Sequence, residues 1–258
     1  AAPGPIRSAD GAWPRSGPVG PDDVAALAEM KRALGGFALS APAVRLVTGS
    51  AGTEASVLRP VTAKPANGGV LTLSQPTGQT AYAAEPGRLG GGALRLVATG
   101  GRGLPEMAVD VPQWRLTDAG FEAQLDGRAR LDFDVARGID ARTRGLLALA
   151  DGRITYTTPE CVDLTVERLE LDENDVHEIA GALCPTDAPL LSAKEGVWRV
   201  VGGFDRLSAQ APFLGMRFEG AAGRVTVDGA SSGVGLTSTV TQARAVDALT
   251  PKRFEPLA

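Results

Sequence analysis

The chain of 258 residues has a net charge of -4 and a sequence pI near 5.2, which argues against a nucleic-acid or anionic-membrane partner, because both favour a basic face. The 33 glycines and 18 prolines argue against a mainly helical protein and favour many strands joined by tight turns. Hydrophobic residues make up 43% of the chain, which is enough for a core. No apolar run approaches the roughly 18 residues of a transmembrane helix.

The first 36 residues are predicted to form an arm and one short helix. Residues 1–20 are rich in proline, glycine and alanine and show no periodicity, which predicts a linker or an extended arm. Residues 21–36 are predicted to form a short amphipathic helix with Pro21 in its first turn and an apolar stripe from Val24 to Leu34. There is neither an initiator methionine nor a signal peptide, so we expect a mature product or a piece of a longer chain.

From residue 40 to residue 258 the pattern is typical of strands. Short runs rich in apolar residues, such as Val70–Leu73, are separated by glycine-rich loops. The run Met107–Trp114 contains Pro112, which suits an edge strand or a bulge better than a central strand. These features predict one repetitive β-sheet domain over residues 40–258.

Three short units in this domain are interpreted as hairpin turns. Each places a glycine just before an alternating run, and a type I′ turn needs a positive φ at its two central residues. Their repetition favours a long antiparallel meander. The units are Asp126-Gly127, Asp151-Gly152 and Ala222-Gly223.

The clearest pattern surrounds the two cysteines, Cys161 and Cys184. Apolar and polar residues alternate from Val162 to Val166, and the alternation changes phase at Arg168, which indicates a β-bulge. The acidic run Asp172–Asp175 then predicts a turn. The returning strand would bring the cysteines to the same end of a hairpin, so we predict a disulfide; two buried free thiols are the alternative. A disulfide would point to the periplasm or the cell exterior.

Little in the sequence indicates catalysis. His177 is the single histidine, which favours a surface or structural role over a catalytic base or a zinc site. Gly229–Gly233 matches the letters of a nucleophile elbow around Ser231, but a strand and not a helix is predicted to follow it. Asp172–Asp175 lacks the spacing of a calcium loop. We therefore expect no enzyme activity, no cofactor and no metal.

Several segments carry a resemblance to a known family. They are Gly103-Leu104-Pro105 with Trp114, Cys161 with the strand of Leu164 and Leu169, Leu183-Cys184-Pro185, Pro189-Leu190-Leu191, Arg224–Asp228 and Arg253–Leu257. Through these segments, residues 40–258 resemble bacterial proteins of the YdbH family, within the wider AsmA-like group that includes TamB. The cysteine hairpin is the most specific part of the match.

The resemblance implies a protein of the periplasm that spans between the inner and outer membranes as part of a longer, anchored chain. It implies a long curled antiparallel β-sheet with a U-shaped, taco-like groove, along which phospholipid acyl chains move towards the outer membrane. The implied partners are phospholipids, the rest of the same chain, and an outer-membrane lipoprotein of the YnbE type that extends the sheet.

Such a groove needs one apolar face on every strand, so the apolar positions of the alternating runs are the candidates for its lining. The alternative is a closed β-sandwich, a secreted or periplasmic binding or scaffold module without lipid transport, whose apolar faces bury each other. The candidate lining residues are Leu131, Phe133, Val135, Ile154, Tyr156, Val162, Leu164, Val166, Leu169, Leu171, Val225, Val227, Leu236 and Val240.

Overall fold

The computed structural model describes residues 6–7, 36–66, 68–101, 104–133, 136–170, 175–230 and 233–247. These residues form one antiparallel sheet and a short 3₁₀ helix, Pro212–Leu214, so the prediction of a mainly β protein is confirmed. The strands are β1 (Ile6–Arg7), β2 (Gly36–Ser40), β3 (Val44–Gly49), β4 (Gly52–Val57), β5 (Val61–Pro65), β6 (Val70–Ser74), β7 (Tyr82–Ala84), β8 (Gly91–Thr99), β9 (Glu106–Thr117), β10 (Gly120–Phe133), β11 (Ala136–Ala150), β12 (Arg153–Thr157), β13 (Val162–Leu169), β14 (Val176–Cys184), β15 (Leu191–Lys194), β16 (Val197–Ala211), β17 (Met216–Ala230) and β18 (Gly233–Asp247).

The predicted helix of residues 21–36 lies outside the described residues except for Gly36, which begins β2. Most of the predicted arm, residues 1–20, also lies outside them. Its described part, β1, pairs with β2. The sheet therefore begins before residue 40, where the sequence pattern places its start.

The sheet is a meander of rows, where a row is either one long strand or two short strands that lie end to end. Each row is hydrogen-bonded to the row that follows it in the chain. Seven of these rows are single strands: β8 to β11 and β16 to β18. In five others two strands lie end to end: β2 with β3, β4 with β5, β6 with β7, β12 with β13, and β14 with β15. All the described strands belong to this one sheet, so the two facing sheets of a sandwich are absent from the described residues.

The break between β12 and β13 lies beside the break between β14 and β15, and the disulfide joins the two rows at this point, which we call the seam. The long strand β11 pairs with β12 along one half and with β13 along the other, and β16 pairs in the same way with β15 and β14. Cys161 and Cys184 flank the paired residues Val162 and Leu183 at this seam, with their Cα atoms 3.9 Å apart. The predicted disulfide is confirmed, and it indicates an oxidising compartment outside the cytoplasm.

Only one of the three predicted glycine turns is a turn. Asp151 and Gly152 join β11 to β12 with φ angles of 52° and 70°, the backbone that a type I′ turn requires. Gly127 and Gly223 lie instead in the middle of β10 and β17. A Cβ at Gly223 would overlap the carbonyl oxygen of Thr239, so this glycine permits a close approach of strands and not a turn.

Pro112 lies in a bulge of a central strand. Its strand, β9, pairs with β8 on one side and with β10 on the other, so the edge-strand alternative is wrong. Three steps along β9, from Gln113 to Asp110, face only two steps along β10, from Gln124 to Asp126. The extra residue of a bulge is left out of the ladder, which accommodates a proline without an N–H group.

Candidate functional site

The strand registers assign the side chains to two contrasting faces, because residues directly opposite each other in a sheet share a face. In β10 and β11, the odd-numbered positions from Phe121 to Leu131 and from Ile139 to Leu149 share one face and are apolar or small, apart from Thr143. We call this face, continued through the registers of the other strands, the aliphatic face. The even-numbered positions of β10 include Glu122, Asp126 and Arg128, and their side is the charged face.

The registers bring the described lining candidates together on the aliphatic face. Tyr156 lies opposite Leu147 on one side and Leu191 on the other, and Leu191 is opposite Val200, which is opposite Val227. This path connects the middle of the sheet to β17. The remaining candidates pair as follows: Leu131 with Ile139, Ile154 with Leu149, Val162 with Leu183, Leu164 with Ala141, Val166 with Ile179, Val225 with Gly202, and Val240 with Gly223.

Phe133 is registered opposite Ala136, and Leu236 is registered opposite Val227. Val135 and Leu171 lie outside the described residues.

Leu169 follows a change of phase in β13. Val162, Leu164 and Val166 are buried or half-buried, whereas Glu167 and Arg168 are both exposed and Leu169 is half-buried again. Beside this point, Gly138 of the neighbouring strand has a φ of 60°, and its Cβ would overlap the Glu167 side chain. Both ladders of β13 keep one register through this point, so the β-bulge predicted at Arg168 is absent, and the irregular backbone lies at Gly138 of the neighbouring strand.

Side chains of the aliphatic face are packed by their neighbours but are not covered by a second layer. Leu149 and Ile154 lie opposite each other in two interior rows, yet they are 42% and 41% exposed. Val162 is buried at 6% and Phe204 at 8%, and the described residues contain no large side chain below 2%. A closed core of this size would hold several such side chains, since interiors are close-packed.

Glycine and aromatic residues are paired on this face, which the sequence patterns do not predict. Trp198 lies directly opposite Gly229, and a Cβ at this glycine would overlap the indole ring. Phe204 covers Gly223 in the same way, with its Cζ 2.7 Å from the ideal Cβ position. The rings therefore lie flat on the backbone of the neighbouring strand, the arrangement that allows a sheet with glycines to curve without a void.

The charged face is organised by ion pairs between neighbouring strands. Arg128 Nε donates a hydrogen bond to Asp140 Oδ1 at 2.6 Å, and Arg130 donates to Oδ2 at 3.1 Å. The hydrogen bond from Arg128 is the main cause that holds the pKa of Asp140 below its usual value near 3.8. Five more ion pairs join residues directly opposite each other: Arg95–Asp110, Arg115–Glu122, Arg144–Asp126, Arg199–Asp228 and Arg244–Glu219.

A depression of about 580 Å³ lies along β9, β10, β11, β13 and β14, and its lining includes the charged-face residues Asp110, Asp126 and Arg142. Asp110 and Asp126 are each engaged by an arginine of the neighbouring strand. Within the part of the chain that the structure describes, no three His, Cys, Asp or Glu side chains are grouped so that they could hold a metal ion. The two faces therefore differ in chemistry. On the charged face, opposite charges are paired between neighbouring strands, whereas the aliphatic face exposes hydrocarbon side chains.

None of the described segments is a helix with the length and hydropathy that a bilayer span requires. No protein-family model, no characterised protein and no solved structure matches this chain.

Proposed function

We propose that the aliphatic face binds the acyl chains of phospholipids and lets them move along the sheet. The observation that supports this most directly is the exposure of large aliphatic side chains in interior rows, represented by Leu149 and Ile154. Soluble proteins seldom leave a large contiguous apolar surface in water unless it binds a partner. Each acyl CH₂ group removed from water contributes about 0.8 kcal/mol, so a fatty chain is a strong ligand for such a surface.

The proposed mechanism is passive. Acyl chains lie against the aliphatic face while their head groups stay in water, and no covalent step or cofactor takes part. Since every aliphatic side chain offers a similar nonpolar contact, no single position holds the lipid, and the ligand can shift between rows at low cost. A curled, U-shaped sheet would shield the chains from water along the whole path.

We further propose the setting that the family resemblance implies. The sheet would be one segment of a longer periplasmic bridge of the YdbH kind, anchored in the inner membrane and continued towards the outer membrane by a lipoprotein of the YnbE type. The disulfide supports an oxidising compartment. The net charge of -4 is compatible with a protein that contacts lipid through a nonpolar surface and not through attraction to anionic head groups.

The test is crosslinking to lipid from matched positions on the two faces. A photoreactive amino acid replaces Leu164 or Val225 on the aliphatic face, and in control proteins it replaces Thr165 or Thr226, the next residue on the charged face. After irradiation in bacteria that secrete the protein to the periplasm, we expect a mass increase of one phospholipid at Leu164 and Val225 but not at the threonines.

Lack of lipid at both aliphatic positions would overturn the transport proposal and would favour a scaffold module. Equal labelling on the two faces would also count against it, because neighbouring positions of one strand differ only in the face that they occupy.

A further inference from the structure

The aromatic side chains with polar atoms are concentrated in one part of the aliphatic face. Both tyrosines and both tryptophans among the described residues lie there together with one phenylalanine. We call these five residues the aromatic row: Tyr82, Trp114, Phe121, Tyr156 and Trp198.

Residues that lie directly opposite each other in successive strands form one level across the sheet. The aromatic row occupies two adjacent levels near one end of the strands. Trp114 is opposite Ala123, Ala123 is opposite Leu147, and Leu147 is opposite Tyr156, so this tryptophan and tyrosine share a level. Phe121 and Trp198 share the next level, which is connected through Leu149, Ile154 and Ala193. The hairpins after Thr117, Ala150 and Lys194 lie at this end of the strands.

The row runs across the sheet, perpendicular to the strands. From β7, which contains Tyr82, to β16, which contains Trp198, there are seven strand spacings, or about 34 Å. Tyr82 stacks on Trp114 with ring centroids 5.8 Å apart, and Trp114 lies 5.8 Å from Phe121. The row therefore follows the direction in which the proposed lipid path would run.

Two of these rings carry polar atoms that have partners in neighbouring strands. Trp114 Nε1 donates a hydrogen bond to the carbonyl oxygen of Ala81 at 3.1 Å, and the Tyr156 hydroxyl is 2.7 Å from the Thr143 hydroxyl. Partial burial raises the pKa of Tyr156, so its hydroxyl keeps its proton at neutral pH.

Beyond the row, Thr143 is the single polar side chain on the aliphatic face of β10 and β11, and its hydroxyl is paired with that of Tyr156. From Ala123 to Leu131, the face of β10 continues for eight residues, or about 27 Å. The opposite strands present Ile139 and Ala141 there, and β13 presents Leu164. This length exceeds the hydrocarbon thickness of one bilayer leaflet, about 15 Å, which is half of a bilayer core.

We propose that the aromatic row marks the level at which the glycerol and ester region of a bound phospholipid lies, with the acyl chains extending from the row towards Leu131, Leu164 and Phe204. The inference rests on the proposed function and adds an orientation of the lipid to it. Tryptophan and tyrosine have an apolar body and a polar atom, and they collect where hydrocarbon meets water. The row then keeps every lipid in the same orientation as it moves from strand to strand.

Tryptophan fluorescence tests this orientation with spin-labelled phosphatidylcholine. A Trp13→Phe background removes the tryptophan outside the described residues, and a further Trp114→Phe or Trp198→Phe change leaves one reporter in the row. The lipid carries a nitroxide quencher either near the head group or near the methyl end of an acyl chain. A control protein without native tryptophans carries Leu164→Trp as a reporter beyond the row.

We expect the label near the head group to quench each native reporter roughly twofold or more strongly than the label near the methyl end, because the row lies at the hydrocarbon boundary. The order should reverse for the Leu164→Trp reporter. Equal or reversed quenching at the native tryptophans, in protein that still captures lipid by crosslinking at Val225, would overturn the orientation alone. Absence of both quenching and crosslinking would overturn the proposed function itself.

Discussion

Replacing Cys161 and Cys184 by serine should destabilise the seam between the two split rows in a measurable and local way. The disulfide closes a loop with a sequence separation of 23. Loop-closure entropy for this length corresponds to about 3.4 kcal/mol at room temperature, which the oxidised chain gains by restricting its unfolded state. With a urea m-value of about 2 to 3 kcal/mol per molar, the unfolding midpoint should fall by about 1 to 2 M.

The structure also predicts which strands lose stability when the disulfide is removed. All four short strands are paired with β11 or β16, but the disulfide fastens only the end of the β13–β14 hairpin, next to Val162 and Leu183. Hydrogen exchange should therefore accelerate in the hairpin of β13 and β14 and change little in β12 and β15.

The measurements are urea unfolding followed by circular dichroism, and native-state hydrogen exchange. A reducing agent should shift the parent protein to the midpoint of the double serine variant and leave that variant unchanged. A loss below about 1 kcal/mol would refute the loop argument, because the calculated term is more than three times larger. Faster exchange spread evenly over all rows would refute the local role of the seam.

Two further predictions concern the charged and aliphatic faces. Because Arg128 lowers the pKa of Asp140, the ionised carboxylate stabilises the fold at neutral pH, and this contribution is lost as the pH falls through the lowered pKa. Asp140→Asn should therefore reduce the urea midpoint at pH 7 and have little effect on it near pH 2. An equal effect at both pH values would contradict the ion-pair role. Gly229→Ala should lower the free energy of unfolding in urea by about 1 to 3 kcal/mol, because the new methyl group would overlap Trp198. The control variant Gly49→Ala places its methyl group in open space, so its free energy of unfolding should stay within about 0.5 kcal/mol of the parent value. Equal losses in the two variants would refute the packing argument.

Much of the sheet was predictable because alternation is a local property. A strand with one dry face and one wet face repeats every two residues, and this period is visible in β13 and β17 without knowledge of their neighbours. The disulfide was predictable for a similar reason, since a single hairpin brings Cys161 and Cys184 together.

Glycine was the main source of error. The same two letters, Gly preceded by Asp, occur at a turn in Asp151-Gly152 and within a strand in Asp126-Gly127. At the turn the residue supplies a positive φ, whereas Gly127 is needed because a Cβ would approach the backbone of Ala108 and Val109 on the neighbouring strand. No local pattern distinguishes these two uses, since the second depends on a strand that is distant in sequence.

Local patterns are enough to predict a strand-rich meander with one apolar side on many strands and a cysteine-closed hairpin, because period-2 alternation and hairpin closure involve residues close together in the chain. Three features follow only from the folded sheet: the rows form one sheet, the aliphatic side chains of interior rows stay uncovered, and Tyr82 and Trp198 belong to a single aromatic row. These features depend on strand register. A shift of one residue would move each of these side chains to the opposite face, and register is decided by cross-strand packing and ion pairs between residues far apart in the chain.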